Sequence, residues 1–307
     1  KIAFFLCVGS RSREYPLCSS VCCSYTVREI KWTLQRARPD IAVFYNDLRL
    51  FGQEFYMEKA FRDGGVRFVR ANSRYFDEDD EGVTVRYYAG GQLKEERFNY
   101  AVLAIGLRPN PELKSLSKLF GFSLNEYGFV KEVAPLQTDV EHIYISGGVL
   151  EPMNIKDSIL TGFGAGFLAV KGEEIAENTE HYDERIYRES EPQFAFTDDK
   201  ATSYLFYIGA QDPGQGILYE FLSSTFLEAA IELKKAGKSV YVITRNMVTP
   251  SYAELTYEEA RRDGIIFIHL EEDEKLIFNG KDVQIMGEGR GLILNPDKVV
   301  RFDEYAG

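Results

Sequence analysis

Two stretches of this chain, 200 positions apart, carry the same pattern, and that repeat constrains the fold more than any other feature of the sequence. Ser203 to Ala210 reads SYLFYIGA and aligns with Ala3 to Ser10, AFFLCVGS. Val240 to Thr244 matches Ile41 to Tyr45 at an offset of 199, and Glu259 to Gly264 matches Lys59 to Gly64 at 200. A register held over roughly sixty residues indicates a duplicated structural unit. Within the first copy, Ile2 to Val8 is an apolar run closed by Gly9-Ser10 and reads as a buried strand. A helix is expected from about Ser19 to Arg36, stopping before Pro39-Asp40. A strand at Ile41 to Tyr45, a helix at Glu54 to Phe61 and a strand at Val66 to Val69 follow. Strands alternating with helices imply right-handed crossovers onto a parallel sheet, with functional groups at the carboxyl ends of the strands.

The segment between the copies is less regular. Asp77 to Glu81 reads as a solvated acidic turn leading into a hairpin of Val83 to Tyr88 and Glu95 to Phe98. Strands are expected at Tyr100 to Ile105 and at Thr138 to Gly148, the second closing in paired glycines. Helices are expected at Leu113 to Phe120 and Ile155 to Val170. Lys171 to Asp199 is acidic and aperiodic, and reads as a linker with room for a short helix.

All four cysteines of the 307 residues fall between positions 7 and 23. Thiols serving only as core fillers would be scattered, so Cys7, Cys18, Cys22 and Cys23 point to one site of shared chemistry. Cys7 ends the first strand. Cys18 and Cys22, four apart, are expected on one face at the start of the following helix, with Cys23 turned about 100° away. A helix amino terminus favours an anionic centre, and Arg11, Arg13 and Arg28 add positive charge nearby. Disulfides fit poorly, because no secretory signal is present and an adjacent Cys22-Cys23 bridge is a strained ring. Structural zinc normally uses paired C-x2-4-C knuckles, which this spacing lacks. Four thiolates nevertheless suit either an iron-sulfur cluster or zinc. At the corresponding places the second copy has Tyr207, Leu218, Leu222 and Ser223, so the fold itself does not require the thiols.

The run CVGSR at Cys7 to Arg11, the CSSVCC run at Cys18 to Cys23 and the segment VFYNDLRLFGQEFY at Val43 to Tyr56 resemble the HdrA family of heterodisulfide reductase. Its members are the flavin and iron-sulfur subunits of anaerobic electron-transfer complexes. The resemblance covers residues 1 to about 170. It implies a thioredoxin-reductase-like α/β fold (pyridine nucleotide-disulfide oxidoreductase-like parallel-sheet domains) there, and the internal repeat carries that fold, in degenerate form, to the second copy. The resemblance also implies a [4Fe-4S] cluster on Cys7, Cys18, Cys22 and Cys23. Ala104 to Asn110, with Gly106 and Pro109, resembles the return from the nicotinamide-type domain to the flavin domain. Thr138 to Gly148, with Gly147 and Gly148, resembles the last FAD-binding strand. Resemblance and repeat together give the domains 1–107, nucleotide-binding-like and bearing the thiols; 108–170, the carboxyl-terminal part of a flavin-binding domain; 171–199, a linker; and, through the repeat alone, 200–307, a copy without cysteines.

Two departures from the family pattern stand out. The GxGxxG unit that would hold the FAD pyrophosphate is not in this sequence, so it belongs to another part of a longer chain or FAD is not held by this chain alone. Arg28 stands where the family commonly has lysine, and arginine keeps the charge without releasing a proton. The function implied is electron transfer between FAD and [4Fe-4S] clusters, with the other subunits of a redox complex and iron-sulfur carrier proteins as partners. The competing expectation is an assembly scaffold with structural zinc. His142, His181 and His269 are dispersed, and no residue reads as an acid–base catalyst. The net charge of -12 argues against nucleic acid as a partner. No apolar run reaches bilayer length and no signal peptide precedes the first strand, which reads as a cytoplasmic protein.

Overall fold

The computed structural model describes residues 1–50, 53–71, 74–178, 200–209, 216–271, 273–287 and 290–301. The first copy opens with β1 (Ile2–Val8), followed by α1 (Cys22–Arg36), β2 (Ile41–Tyr45), α2 (Gln53–Asp63) and β3 (Arg67–Arg70). An antiparallel meander of β4 (Arg74–Asp79), β5 (Gly82–Ala89) and β6 (Gln92–Phe98) precedes β7 (Tyr100–Ile105). The parallel sheet has the order β3-β2-β1-β7, with Phe4 level with Val43 and Val102. Its strands are apolar on both faces because both are covered. Phe4 and Leu6 face Val27 and Ile30 of α1, whereas Ala3, Phe5 and Phe44 face Val85, Tyr87 and Phe98 of the meander.

The second copy repeats this architecture strand for strand. Its elements are β8 (Ser203–Ile208), α5 (Gly216–Lys235), β9 (Ser239–Thr244), α6 (Ala253–Arg262) and β10 (Ile266–His269). A second meander, β11 (Lys275–Asn279), β12 (Asp282–Gly287) and β13 (Arg290–Leu294), leads to β14 (Lys298–Arg301), and the sheet order is β10-β9-β8-β14. The duplication therefore extends well beyond the stretch recognisable in the sequence, because a meander needs only alternating apolar residues to keep its place.

Three expectations are corrected here. Helix α1 starts at Cys22, so Cys18 lies in the loop before it rather than on its first turn. The acidic run is partly strand: Asp77 and Asp79 belong to β4, where Arg86 pairs with Asp77 and Arg97 with Asp79. Cross-strand partners of opposite charge make the run compatible with a sheet. Thr138 to Gly148 forms a tight loop with an isolated bridge at Tyr144, and its two glycines open a short 3-10 turn (Gly147–Val149) instead of closing a strand. Its Thr138 N–H donates to Ile143 O at 3.2 Å, and His142 takes a left-handed φ of 62°.

The chain groups into two compact units, one of residues 1–18, 22–106 and 196–307, the other of 19–21 and 107–195. Both copies of the repeat lie in the first. The second contains α3 (Leu113–Phe120) and α4 (Ile155–Asn178), with Leu113, Phe122, Val130, Ile145, Leu150 and Met153 in its core. Helix α4 continues eight residues past Val170, into the segment expected to be linker, and positions 179–199 of that segment lie outside the described residues. No described helix is long and apolar enough to cross a membrane.

Candidate metal centre

The thiols converge because β1 breaks its own alternation. In an uninterrupted strand Cys7 would share a face with Ala3 and Phe5 and point to the meander. The register of β1 against β7 shifts between Phe5 and Val8, and Cys7 has a left-handed φ of 61°. This bulge turns Cys7 to the opposite face, where it packs with Cys22 and Cys23 of α1. Bulges commonly re-aim one side chain beside a functional site. The second copy lacks the device: Tyr207 keeps the alternation, joins the meander-side cluster with Leu205 and packs its ring, tilted by 56°, against Phe278 with centroids 5.6 Å apart. Leu222 and Ser223 are buried in place of Cys22 and Cys23, and the side chain of Leu218 lies outside the described residues.

A left-handed conformation costs a residue with a Cβ about 1–2 kcal/mol, and glycine escapes that cost. Among variants that remove this thiol, Cys7→Gly is therefore expected to be about 1 kcal/mol more stable than Cys7→Ala. Urea unfolding of the two proteins checks this, and an alanine variant at least as stable as the glycine one contradicts the assignment of strain to Cys7.

A loop returns the chain from the end of β1 to Cys18. Arg11 N–H donates to Leu17 O at 3.0 Å and Ser12 N–H to Tyr15 O at 3.0 Å, and the second copy anchors Cys18, whose N–H donates to Ser251 O at 3.3 Å. Cys18, Cys22 and Cys23 are buried and Cys7 is half-buried. The Cys7 and Cys22 side chains are hydrogen-bonded, as are those of Cys22 and Cys23. Cys23 Sγ also donates to Asp47 O at 3.9 Å. The hydrogen bond to Cys22 and then burial push the Cys7 thiol well up. Cys22 is pushed up to about 12, first by its bond to Cys23, against the opposing effect of Cys7, and then by burial. Such a set becomes thiolate only when a cationic centre compensates the charge.

Among the described residues, no group of three or more His, Cys, Asp or Glu side chains is arranged as it stands to hold a metal ion. The chemistry of the donors nonetheless suits an anionic thiolate centre: Cys7, Cys22 and Cys23 pack together and Cys18 is buried in the loop between them. The buried Ser10 Oγ, Thr26 Oγ1, Arg11 Nη1 and Arg49 Nη1 have no hydrogen-bond partner among the described residues. Buried polar atoms of this kind call for a partner.

The two arginines are held by the contact between the copies. Arg11 reaches Asp47 Oδ2 at 2.8 Å and Glu254 Oε1 at 3.0 Å. Arg49 donates to Met247 O at 3.1 Å and Thr249 Oγ1 at 2.8 Å, and it also pairs with Glu254. Met247 N–H donates to Asp47 Oδ1 at 3.4 Å, and Arg70 Nη1 lies 3.2 Å from His269 Nδ1. Several of these pairs join a residue to its own counterpart about 200 positions on, as at an interface around a two-fold axis. The arginines beside Asp47 hold its carboxyl well below the usual range despite its burial.

Arg28 is placed differently from the expectation. Its side chain is 62% exposed and its Nε donates to Glu54 Oε1 at 2.9 Å. Arg13 is exposed as well. Arg49 was not legible as a site residue, because its neighbours are contributed by the other copy. His142 is exposed beside Glu141, His181 lies outside the described residues, and His269 stands between Asp47, Arg70 and Tyr257.

The residues expected at a flavin, Gly106, Pro109, Gly147 and Gly148, are distributed between the two units. Gly106 ends the first unit, while Pro109, Gly147 and Gly148 belong to the second. Pro109 lies where a Cβ on Gly128 would meet it at 3.2 Å, which is a packing role. Gly147 N–H already donates to Thr161 Oγ1 at 3.0 Å. A Cβ added at Gly148 would meet nothing within 4 Å.

No family model matches the chain. A CoB–CoM heterodisulfide reductase iron-sulfur subunit of the HdrA type, from Methanocaldococcus jannaschii, is 32% identical over 178 residues, 54% of this chain and 27% of that protein. One of the corresponding iron-sulfur subunits of Methanopyrus kandleri is 30% identical over 179 residues, with the same shares. Over that stretch the chain is HdrA-like. It matches only about a quarter of the length of these HdrA relatives. A dihydrolipoyl dehydrogenase of Zymomonas mobilis is 36% identical over 96 residues, 31% of this chain and 20% of that enzyme. With its parallel sheets and crossover helices, the fold is of the pyridine nucleotide-disulfide oxidoreductase type.

Proposed function

We propose that this HdrA-like chain is an electron-transfer module of a heterodisulfide-reductase-like complex, with a [4Fe-4S] cluster held by Cys7, Cys18, Cys22 and Cys23. The observation that carries the reading is the packing of Cys7, at a strand end, with Cys22 and Cys23, at a helix start, with a buried Cys18 in the loop that joins them, at a place where the duplicate has no cysteine. A cluster of this type supplies one-electron chemistry at a potential set by its surroundings. The chain's own part is to provide the thiolates, exclude water through the core around Phe4, Leu6, Val27 and Leu50, and place positive charge beside the centre. Electrons would pass between FAD and the clusters of other proteins in the complex, including iron-sulfur carriers. In this reading residues 1–107 bear the centre, 108–170 form the flavin-side segment, and 171–199 lead to the duplicate at 200–307.

Anaerobic purification with metal and acid-labile sulfide analysis tests the proposal. The expected result is a brown protein with iron and sulfide in near-equal amounts, bleached by dithionite, because iron-thiolate and sulfide chromophores are absent from d10 zinc. Stoichiometric zinc with no sulfide would sink it in favour of a structural scaffold.

A further inference from the structure

The thiol-free duplicate makes close contacts around the centre, and those contacts bear on two arginines in particular. Arg11 and Arg49 have side chains 6% and 3% exposed, and in each guanidinium Nε and Nη2 are engaged while Nη1 is buried without a partner among the described residues. Arg11 belongs to the loop between Cys7 and Cys18. Arg49 lies two residues beyond Asp47, whose carbonyl accepts from Cys23. The charges of both are felt at Cys7, and that of Arg49 couples to Cys18. The groups that fix Arg49 are Met247 O, Thr249 Oγ1 and the Glu254 carboxylate, all from the duplicate.

We infer that the duplicated module acts as a positioning shell for the redox centre: Glu254, Thr249 and the Met247 carbonyl clamp Arg49, and Glu254 with Asp47 clamps Arg11, so that their Nη1–H groups donate to the sulfur of the centre. This rests on the cluster reading given above. Donors and positive charge near a cluster favour its more negative, reduced state, so the clamp raises the reduction potential. A guanidinium is suited to the task because its fork can bind a carboxylate on one edge and present a free N–H on the other. The duplicate then has a function although it has lost the thiols: it keeps two arginines from turning away.

The test is a one-electron redox titration, followed by absorbance and electron paramagnetic resonance, on the full chain with its cluster. Arg49→Lys removes the fork and is expected to lower the midpoint by about 59 mV, a tenfold fall in the reduced-to-oxidised ratio at fixed potential. Thr249→Val leaves the arginine in place, removes one clamp and is expected to shift the midpoint in the same direction by less, with iron and sulfide content unchanged. If Arg49→Lys does not fold, Thr249→Val decides the matter alone. Midpoints equal to that of the parent in a fully loaded Thr249→Val protein and in any folded Arg49→Lys protein overturn the inference and leave the cluster reading intact. A parent protein without iron and sulfide overturns both.

Discussion

Replacing Cys22 by serine is expected to reduce iron, sulfide and visible absorbance to background, the largest effect of any single change in this chain. Cys22 bonds to both Cys7 and Cys23 and sits at the first position of α1, so it lies at the middle of the thiol set. Serine keeps the size and the hydrogen-bonding capacity but supplies no soft thiolate, which is what iron-sulfur and zinc centres require. The informative control is the duplicate: Leu222→Met preserves core volume, which normally costs under about 1.5 kcal/mol, and should leave the spectrum unchanged. A Cys22→Ser protein that retains full colour and sulfide would show that Cys22 is a core filler and that the centre lies elsewhere.

The second large effect concerns stability. Glu254 is 2% exposed and faces Arg11 at 3.0 Å, Arg49 and, at 3.7 Å, Arg261. Removing one partner of a buried ion pair leaves uncompensated charge, at a cost of about 3–5 kcal/mol. Glu254→Ala is therefore expected to lower unfolding free energy by about that amount, measured by urea denaturation of the metal-free protein. Glu259→Gln, on the exposed surface of the same helix and paired with Lys235, is expected to change nothing measurable. An alanine variant as stable as the parent would mean that the two arginines find other partners when the carboxylate is gone. The magnitude also explains why such a network persists in a fold that apolar packing alone could build. Buried pairs seldom add net stability, and under the inference above this network serves to hold charges beside the centre.

The parts of this protein that could be read from sequence are those set by local pattern. An apolar run closed by glycine makes β1, a proline ends the α1 segment, and the 200-residue offset exposes the duplication because equivalent strands keep their volume and alternation. The segregation of four cysteines into one window, and their loss at Tyr207, Leu222 and Ser223, required no coordinates either. Local pattern failed at Thr138 to Gly148, where apolar alternation reads as strand and a left-handed His142 closes a loop. It failed again at Cys18, which precedes the helix.

Only the tertiary structure decided how the thiols meet and what surrounds them. A strand's period places Cys7 on the meander face, and the shift of register against β7 reverses it. Sequence cannot report that, because a bulge is fixed by the partner strand, about a hundred residues away. Arg49 and Glu254 look like ordinary loop and helix charges in the sequence. They become a buried clamp because the two copies pack residue against counterpart, and the free energy of a buried charge is set by whatever stands within a few ångströms of it, however distant in the chain.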